Sequence, residues 1–211
     1  DGASDLHVAD VDGDGDIDVL SASFTDDKIV WYENIDGAGT FGAQQVITLL
    51  ADSAQSVVTG DLDGDGDLDV LSTSAADDKI AWYANTDGEG TFGAQQVISS
   101  STRLPRDARA VDMDRDGDLD VVSASGLDDE IAWFENTDGA GTFGPLQLIS
   151  SYSDGVGHIE PVDMNGDGRV DVLAAAAHGD AIHLYSWWEP VGDIYWYPHP
   201  APAIIDQPTS V

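Results

Sequence analysis

Apolar and polar positions alternate in short runs along this chain, and no segment keeps a helical period. Brief apolar stretches at residues 6–9 and 57–59 lead into aspartate-rich turns. Out of those turns run VLSAS, VLSTS, VVSAS and VLAAA at 19–23, 70–74, 121–125 and 172–176, β-branched at the start as strands are. A third apolar stretch follows three times, carrying Ile29, Trp31 and Tyr32, then Ile80, Trp82 and Tyr83, then Ile131, Trp133 and Phe134. Next come Asp36-Gly37, Asp87-Gly88 and Asp138-Gly139 turns and a Thr-Phe-Gly opening at 40–42, 91–93 and 142–144. A closing strand is predicted at 44–47, 95–98 and 147–149.

Every element recurs at an interval of 51 residues, so the pattern predicts four short strands per repeat joined by Gly and Asp turns. That is the arithmetic of a β-propeller blade. The expected fold is all-β, a propeller-like array of four four-stranded antiparallel blades forming one repeat domain over 1–211. The blades fall near 1–50, 51–101, 102–152 and 153–197, with a proline-rich tail at 198–211. The repeated Trp and Phe positions are expected to fill the wedge between neighbouring sheets. Four blades lie at the lower limit for a closed ring, and the chain starts at Asp1 without an initiator Met. The expectation is therefore part of a longer propeller or protein, with additional blades or self-association as the way to complete it.

The turns between first and second strands carry the chemistry. They read DVDGDGDID at 10–18, DLDGDGDLD at 61–69, DMDRDGDLD at 112–120 and DMNGDGRVD at 163–171. Calcium takes six to eight oxygens at about 2.3–2.6 Å, and a tight turn supplies them when alternate residues point inward. Positions 1, 3 and 5 are Asp10, Asp12 and Asp14; Asp61, Asp63 and Asp65; Asp112, Asp114 and Asp116; Asp163, Asn165 and Asp167. Position 6 is Gly15, Gly66, Gly117 and Gly168, and position 9 is Asp18, Asp69, Asp120 and Asp171. Position 7 holds Asp16, Asp67 and Asp118 but Arg169 in the last copy, so it is expected to contribute a backbone carbonyl. About four calcium ions are implied, with the Asn165 loop the weakest. A helical hand is not expected, because position 12 is Ser21, Ser72, Ser123 and Ala174 rather than a bidentate Glu.

These loops, with Phe41-Gly42, Phe92-Gly93 and Phe143-Gly144, resemble the VCBS/FG-GAP family of calcium-loop blades. Such blades occur in bacterial surface and secreted proteins, fungal lectins and the head of integrin alpha subunits. The likeness covers roughly residues 1–185 and implies a structural calcium between the first two strands of each blade. Where integrin-type repeats carry a Gly-Ala-Pro box this chain has Ser-Ala-Ser or Ser-Thr-Ser, which is closer to the VCBS branch.

The fourth repeat departs from the others after its loop. Leu184 stands in the Trp position, and a Trp187-Trp188-Glu189-Pro190 segment replaces the turn. A strand-like stretch at 193–197 then enters a run of prolines. The non-repeating aromatics Trp187, Trp188, Tyr195, Trp196 and Tyr197 are the candidates for ligand contact, with capping of the last blade as the competing role. His178 and His183, five apart around Asp180, could hold a transition metal, although their spacing matches no established site.

Seven basic against 41 acidic residues give −34, and four calcium ions would leave −26. A field of that sign disfavours nucleic acid and anionic membrane surfaces. With no cysteine there is neither a disulfide framework nor a thiolate site, and no apolar run is long enough to span a membrane as a helix. No phosphate loop, H-E-x-x-H or G-x-S-x-G occurs. Together these features lead to an extracellular, secreted or cell-surface module. It is expected to be non-catalytic and calcium-stabilised, binding glycans or extracellular proteins. The alternatives are the scaffold portion of a secreted polysaccharide-active enzyme and a purely structural spacer.

Overall fold

The computed structural model describes residues 2–178, 181–188 and 195–200. Four antiparallel sheets each use four consecutive strands in chain order, as expected from the repeat. The first comprises β1 (Ala3–Ala9), β2 (Asp18–Ser23), β3 (Lys28–Tyr32) and β4 (Gln45–Thr48). The second comprises β5 (Ala54–Gly60), β6 (Asp69–Ser74), β7 (Lys79–Tyr83) and β8 (Gln96–Ser99). The third holds β9 (Pro105–Val111), β10 (Asp120–Ser125), β11 (Glu130–Phe134) and β12 (Gln147–Ser150). The fourth holds β13 (Val156–Val162), β14 (Asp171–Ala176), β15 (Ala181–Trp188) and β16 (Tyr195–Pro200). Each aspartate-rich turn joins the first strand of its sheet to the second.

The sheets stack in series through three apolar seams. Val11, Leu20, Ala22, Ile29 and Trp31 of the first blade meet Ala54, Val57, Val70 and Tyr83 of the second. Val58, Leu62, Leu71, Ile80 and Trp82 meet Ala108, Val121, Ala132 and Phe134 of the third. Met113, Val122, Ile131 and Trp133 meet Val156, Ile159, Val172 and Tyr185 of the fourth. Trp31, Trp82 and Trp133 are each 2% exposed, so the repeated indoles are wedge fillers, as expected. A strand covered on both faces has no solvent-facing side, which is why β6 and β10 are buried at every position, polar residues included, while β2 and β14 are not. The first strands β1, β5, β9 and β13 lie side by side, in the manner of the inner strands of propeller-like blades.

Polar latches reinforce the seams. Asp27, Asp78 and Asp129 adopt φ of 55°, 57° and 57° at the tip of each second hairpin. From there Oδ1 accepts the N–H of Ser53, Leu104 and Gly155, at 2.9, 2.9 and 2.8 Å, where the next blade begins. Each linker is thereby tied to the blade it leaves. In the fourth sheet β16 runs through Pro198 and Pro200, opposite Tyr185 and His183. It is the edge strand, where a missing N–H on the open side interrupts no ladder.

Candidate metal centres

The four loops share one backbone geometry. Position 6 lies at φ of 97°, 96°, 104° and 84° at Gly15, Gly66, Gly117 and Gly168, a conformation that a Cβ would oppose. Its N–H donates to the position 1 carboxylate at 3.0, 3.1, 3.2 and 2.8 Å. The N–H of position 7 donates to the position 5 carboxylate, including Arg169 N–H to Asp167 at 2.9 Å. Arginine at position 7 and asparagine at position 3 thus leave the turn itself unchanged.

Three carboxylates converge in each of the first three loops. Asp10, Asp12 and Asp18 bring ligand oxygens within 4.8 Å of one another, as do Asp61, Asp63 and Asp69, and Asp112, Asp114 and Asp120. Positions 5 and 7 stand outside these triads. The carboxylates of Asp16, Asp67 and Asp118 crowd the α-carbons of Gly37, Gly88 and Gly139 and leave no room there for a Cβ. In the fourth loop Asp163 and Asn165 are exposed and Asp171 is buried.

Position 9 carries a second task that the sequence did not reveal. Asp69 is fully buried, with Oδ2 accepting Leu62 N–H at 2.8 Å and Oδ1 accepting Asn85 N–H at 2.9 Å. Asp18 and Asp120 bind Val11 and Asn34, and Met113 and Asn136, in the same way. Burial pushes Asp69 and Asp120 up to about 6, against the pull of those N–H donors. Burial also raises Asp12, Asp63 and Asp114. Carboxylates crowded this closely ionise reluctantly unless a cation shares them. The donor set is all oxygen, suited to a hard cation, and Asp10 Oδ1 is buried with no hydrogen-bond partner. The residues fit calcium.

The remaining candidates separate. Trp187 and Trp188 stand on β15 and Tyr195, Trp196 and Tyr197 on β16, where Trp187 pairs with Trp196 and Trp188 with Tyr195. Their side chains lie outside the described residues, as does Asp180. His178 Nδ1 is 3.3 Å from Asp154, whereas His183 stacks on Tyr185 with ring centroids 6.0 Å apart. An unforeseen cluster lies on the inner strands: Asp107, 3% exposed, contacts Arg109 at 3.0 Å and His158 at 2.7 Å. Asp107 has a counterpart in Asp5, and each accepts an N–H of the next first strand, from Ile159 at 2.9 Å and Val57 at 3.0 Å, but the positions of Arg109 and His158 differ from blade to blade.

Asn34, Asn85 and Asn136 were missed, although their recurrence two residues after Tyr32, Tyr83 and Phe134 was visible in the sequence. Asn85 Nδ2 donates to Val11 C=O at 2.9 Å, and Asn136 Nδ2 to Leu62 C=O at 2.9 Å. Each therefore crosses a seam to the calcium loop of the preceding blade.

A model described as the FG-GAP-like repeat matches residues 10–72, 69–123 and 112–174. No curated protein sequence matches the chain. Among solved structures the fold is similar to BBS1N, in a crystal structure in complex with ARL6DN soaked with lead. The TM-score is 0.56 and the identity 13%, over 88% of this chain and 53% of that one. It is similar also to NanB, in a structure with Optactamide, with TM-score 0.54 and 14% identity over 82% of this chain and 28% of that one. The chain thus spans about half of the first protein and less than a third of the second.

Proposed function

The chain belongs to the FG-GAP-like repeat family, and from that premise we propose that it is a non-catalytic, calcium-stabilised binding or adhesion module recognising glycans or proteins outside the cell. The observation that carries this reading is the placement of the carboxylate triads. They sit at the blade seams, where an ion fixes loop geometry and leaves the rest of the surface free for a partner. All four loops take up calcium, the fourth most weakly because an amide replaces one carboxylate at Asn165. Millimolar calcium outside the cell suits such loops. Within the family, the Ser-Ala-Ser boxes favour the VCBS branch.

Trp187, Trp188, Tyr195, Trp196 and Tyr197 are the side chains assigned to ligand contact, because large aromatics supply stacking area for a sugar or a protein anchor. A glycan array and a protein pull-down, each run in calcium and in chelator, test the proposal. A ligand retained only in calcium supports it, and no ligand in either condition counts against it. One observation bears on the scaffold reading: in the NanB comparison the matched region is 28% of a longer chain. Turnover of polysaccharide by the full-length protein, lost when the loops are altered, would replace the first reading with this one.

A further inference from the structure

Successive metal loops are joined through single buried side chains. Asn85 is fully buried and touches two loops at once. Its N–H donates to Asp69 Oδ1 of loop 2 at 2.9 Å, and its Nδ2 donates to Val11 C=O of loop 1 at 2.9 Å. Its Oδ1 accepts Gly90 N–H at 3.2 Å, which pins the turn that follows. Asn136, 1% exposed, repeats the two links one blade on, with N–H to Asp120 Oδ1 at 2.8 Å and Nδ2 to Leu62 C=O at 2.9 Å, its Nδ2 also donating to Leu119 C=O of its own blade at 3.3 Å. Val11 and Leu62 occupy position 2 of their loops, between two residues of the triad. The two chain segments also touch directly: a Cβ on Gly64 would lie 2.8 Å from Gly139 C=O, and one on Gly13 would lie 3.4 Å from Gly88 C=O.

We infer that Asn85 and Asn136 couple the first three calcium loops into one cooperative unit, with the fourth loop outside it. An ion in loop 2 fixes Asp69 and, through its Oδ1, the backbone of Asn85. The carboxamide is then aimed at Val11 C=O, which holds loop 1 in the arrangement its own ion requires. Linkage makes the effect reciprocal, because both ions favour the same strapped arrangement. The relay runs from loop 1 through Asn85 to loop 2 and through Asn136 to loop 3. It stops there because the fourth repeat has Trp187 where the others have asparagine. Asp171 Oδ1, which in the other blades would accept that N–H, is buried without a partner among the described residues. Asn34 supplies an internal control: its Nδ2 donates to Ile17 C=O of its own blade at 3.1 Å and so links no second loop.

The inference rests on the calcium reading, and calorimetric calcium titration of the full chain separates the two. Native protein is expected to show a Hill slope above 1. Asn85→Ala brings the slope toward 1 and weakens loop 1 by about fivefold or more, while Asn34→Ala leaves the slope unchanged. Hydrogen exchange gives a readout that bulk stability does not imitate. In native protein Asp63→Asn reduces the calcium-induced protection of residues 10–18, and on the Asn85→Ala background it has no such effect. Should Asn85→Ala not fold, a double-mutant cycle between Asp12→Asn and Asp63→Asn in calcium gives a non-additive loss of calcium affinity if the loops are coupled. Stoichiometric uptake with a slope of 1 and an additive cycle overturns the coupling alone. Absence of calcium uptake overturns the calcium reading itself.

Discussion

Among the described residues, blades 2 and 3 have a neighbour on each side, whereas blades 1 and 4 each have a neighbour on one side only, although their faces are built from the same repeat positions. Val57 and Val70 are 1% and 0% exposed in the seam, while Leu6, at the position of Val57, is 69% exposed. Val11, Leu62 and Met113 are at most 1% exposed under the following blade, while Met164 in the fourth loop is 50% exposed. Identical side-chain patterns thus give a dry core or a wet apolar patch, depending only on what stands next in the array. In a repeat protein the stability of each unit resides largely in its interfaces.

The largest test of that difference compares one position in two blades. Tyr83 is fully buried and Tyr32 half-buried, yet both hydroxyls meet an equivalent glutamine, Gln95 at 2.8 Å and Gln44 at 2.6 Å. Tyr83→Ala is expected to cost about 3–5 kcal/mol in denaturant unfolding and Tyr32→Ala about 1 kcal/mol. Equal losses would mean that this face of blade 1 is covered in solution.

The loops come next. Asp63→Asn removes a triad carboxylate from a covered loop and should cost about 2–3 kcal/mol at a hundredfold excess of calcium over its Kd, and little in chelator. Asp163→Asn in the uncovered loop should cost less, and a reversed order in thermal melts would refute the ranking. Position 3 is the right probe in the covered loop, whereas the fourth loop already has Asn165 there and is probed at position 1 through Asp163. Asp69→Ala strands two buried N–H groups, Leu62 and Asn85, and so destabilises even without the ion.

A smaller contrast separates two glycines. Gly90, at φ of 81°, lies against the Trp31 ring of the preceding blade, whereas Gly39, at φ of 92°, has open space where a Cβ would stand. Gly39→Ala should cost about 1 kcal/mol for the backbone alone, and Gly90→Ala about twice that from backbone and clash together. Matching melting temperatures would show that the indole gives way.

The smallest effect is a pH slope from the covered blades. Asp69 and Asp120 stand at about 6 in the folded chain against an ordinary 3.8, so the folded state holds protons that the unfolded state releases in that window. Calcium-free stability from these groups is present below pH 3.8 and is lost as pH rises to about 6. The melting temperature in chelator should fall by a few degrees across that range, and calcium should flatten or reverse the trend. A rise in chelator would contradict the burial of these carboxylates.

Strand placement and loop position were legible because the 51-residue period repeats every cue, from VLSAS to Trp31. The second task of Asp69 was not legible, since its partner Asn85 lies sixteen residues away and offers a backbone group that no side-chain pattern encodes. The Asn85 strap was partly legible: the recurrence of Asn34, Asn85 and Asn136 was visible, but the acceptor lies on another blade, 74 residues away. The Asp107, Arg109 and His158 cluster had no signal, because Arg109 and His158 break the repeat that Asp5 and Asp107 follow.

The latches of Asp27, Asp78 and Asp129 bear on how such chains change length. Each reaches 26 residues ahead to the same phase of the next period. Excising one whole period from the first three repeats, wherever the cut falls, brings an equivalent acceptor and donor back together. Gene duplication or deletion in steps of 51 residues would then lengthen or shorten the array with its clasps intact, and any other step would leave a clasp open.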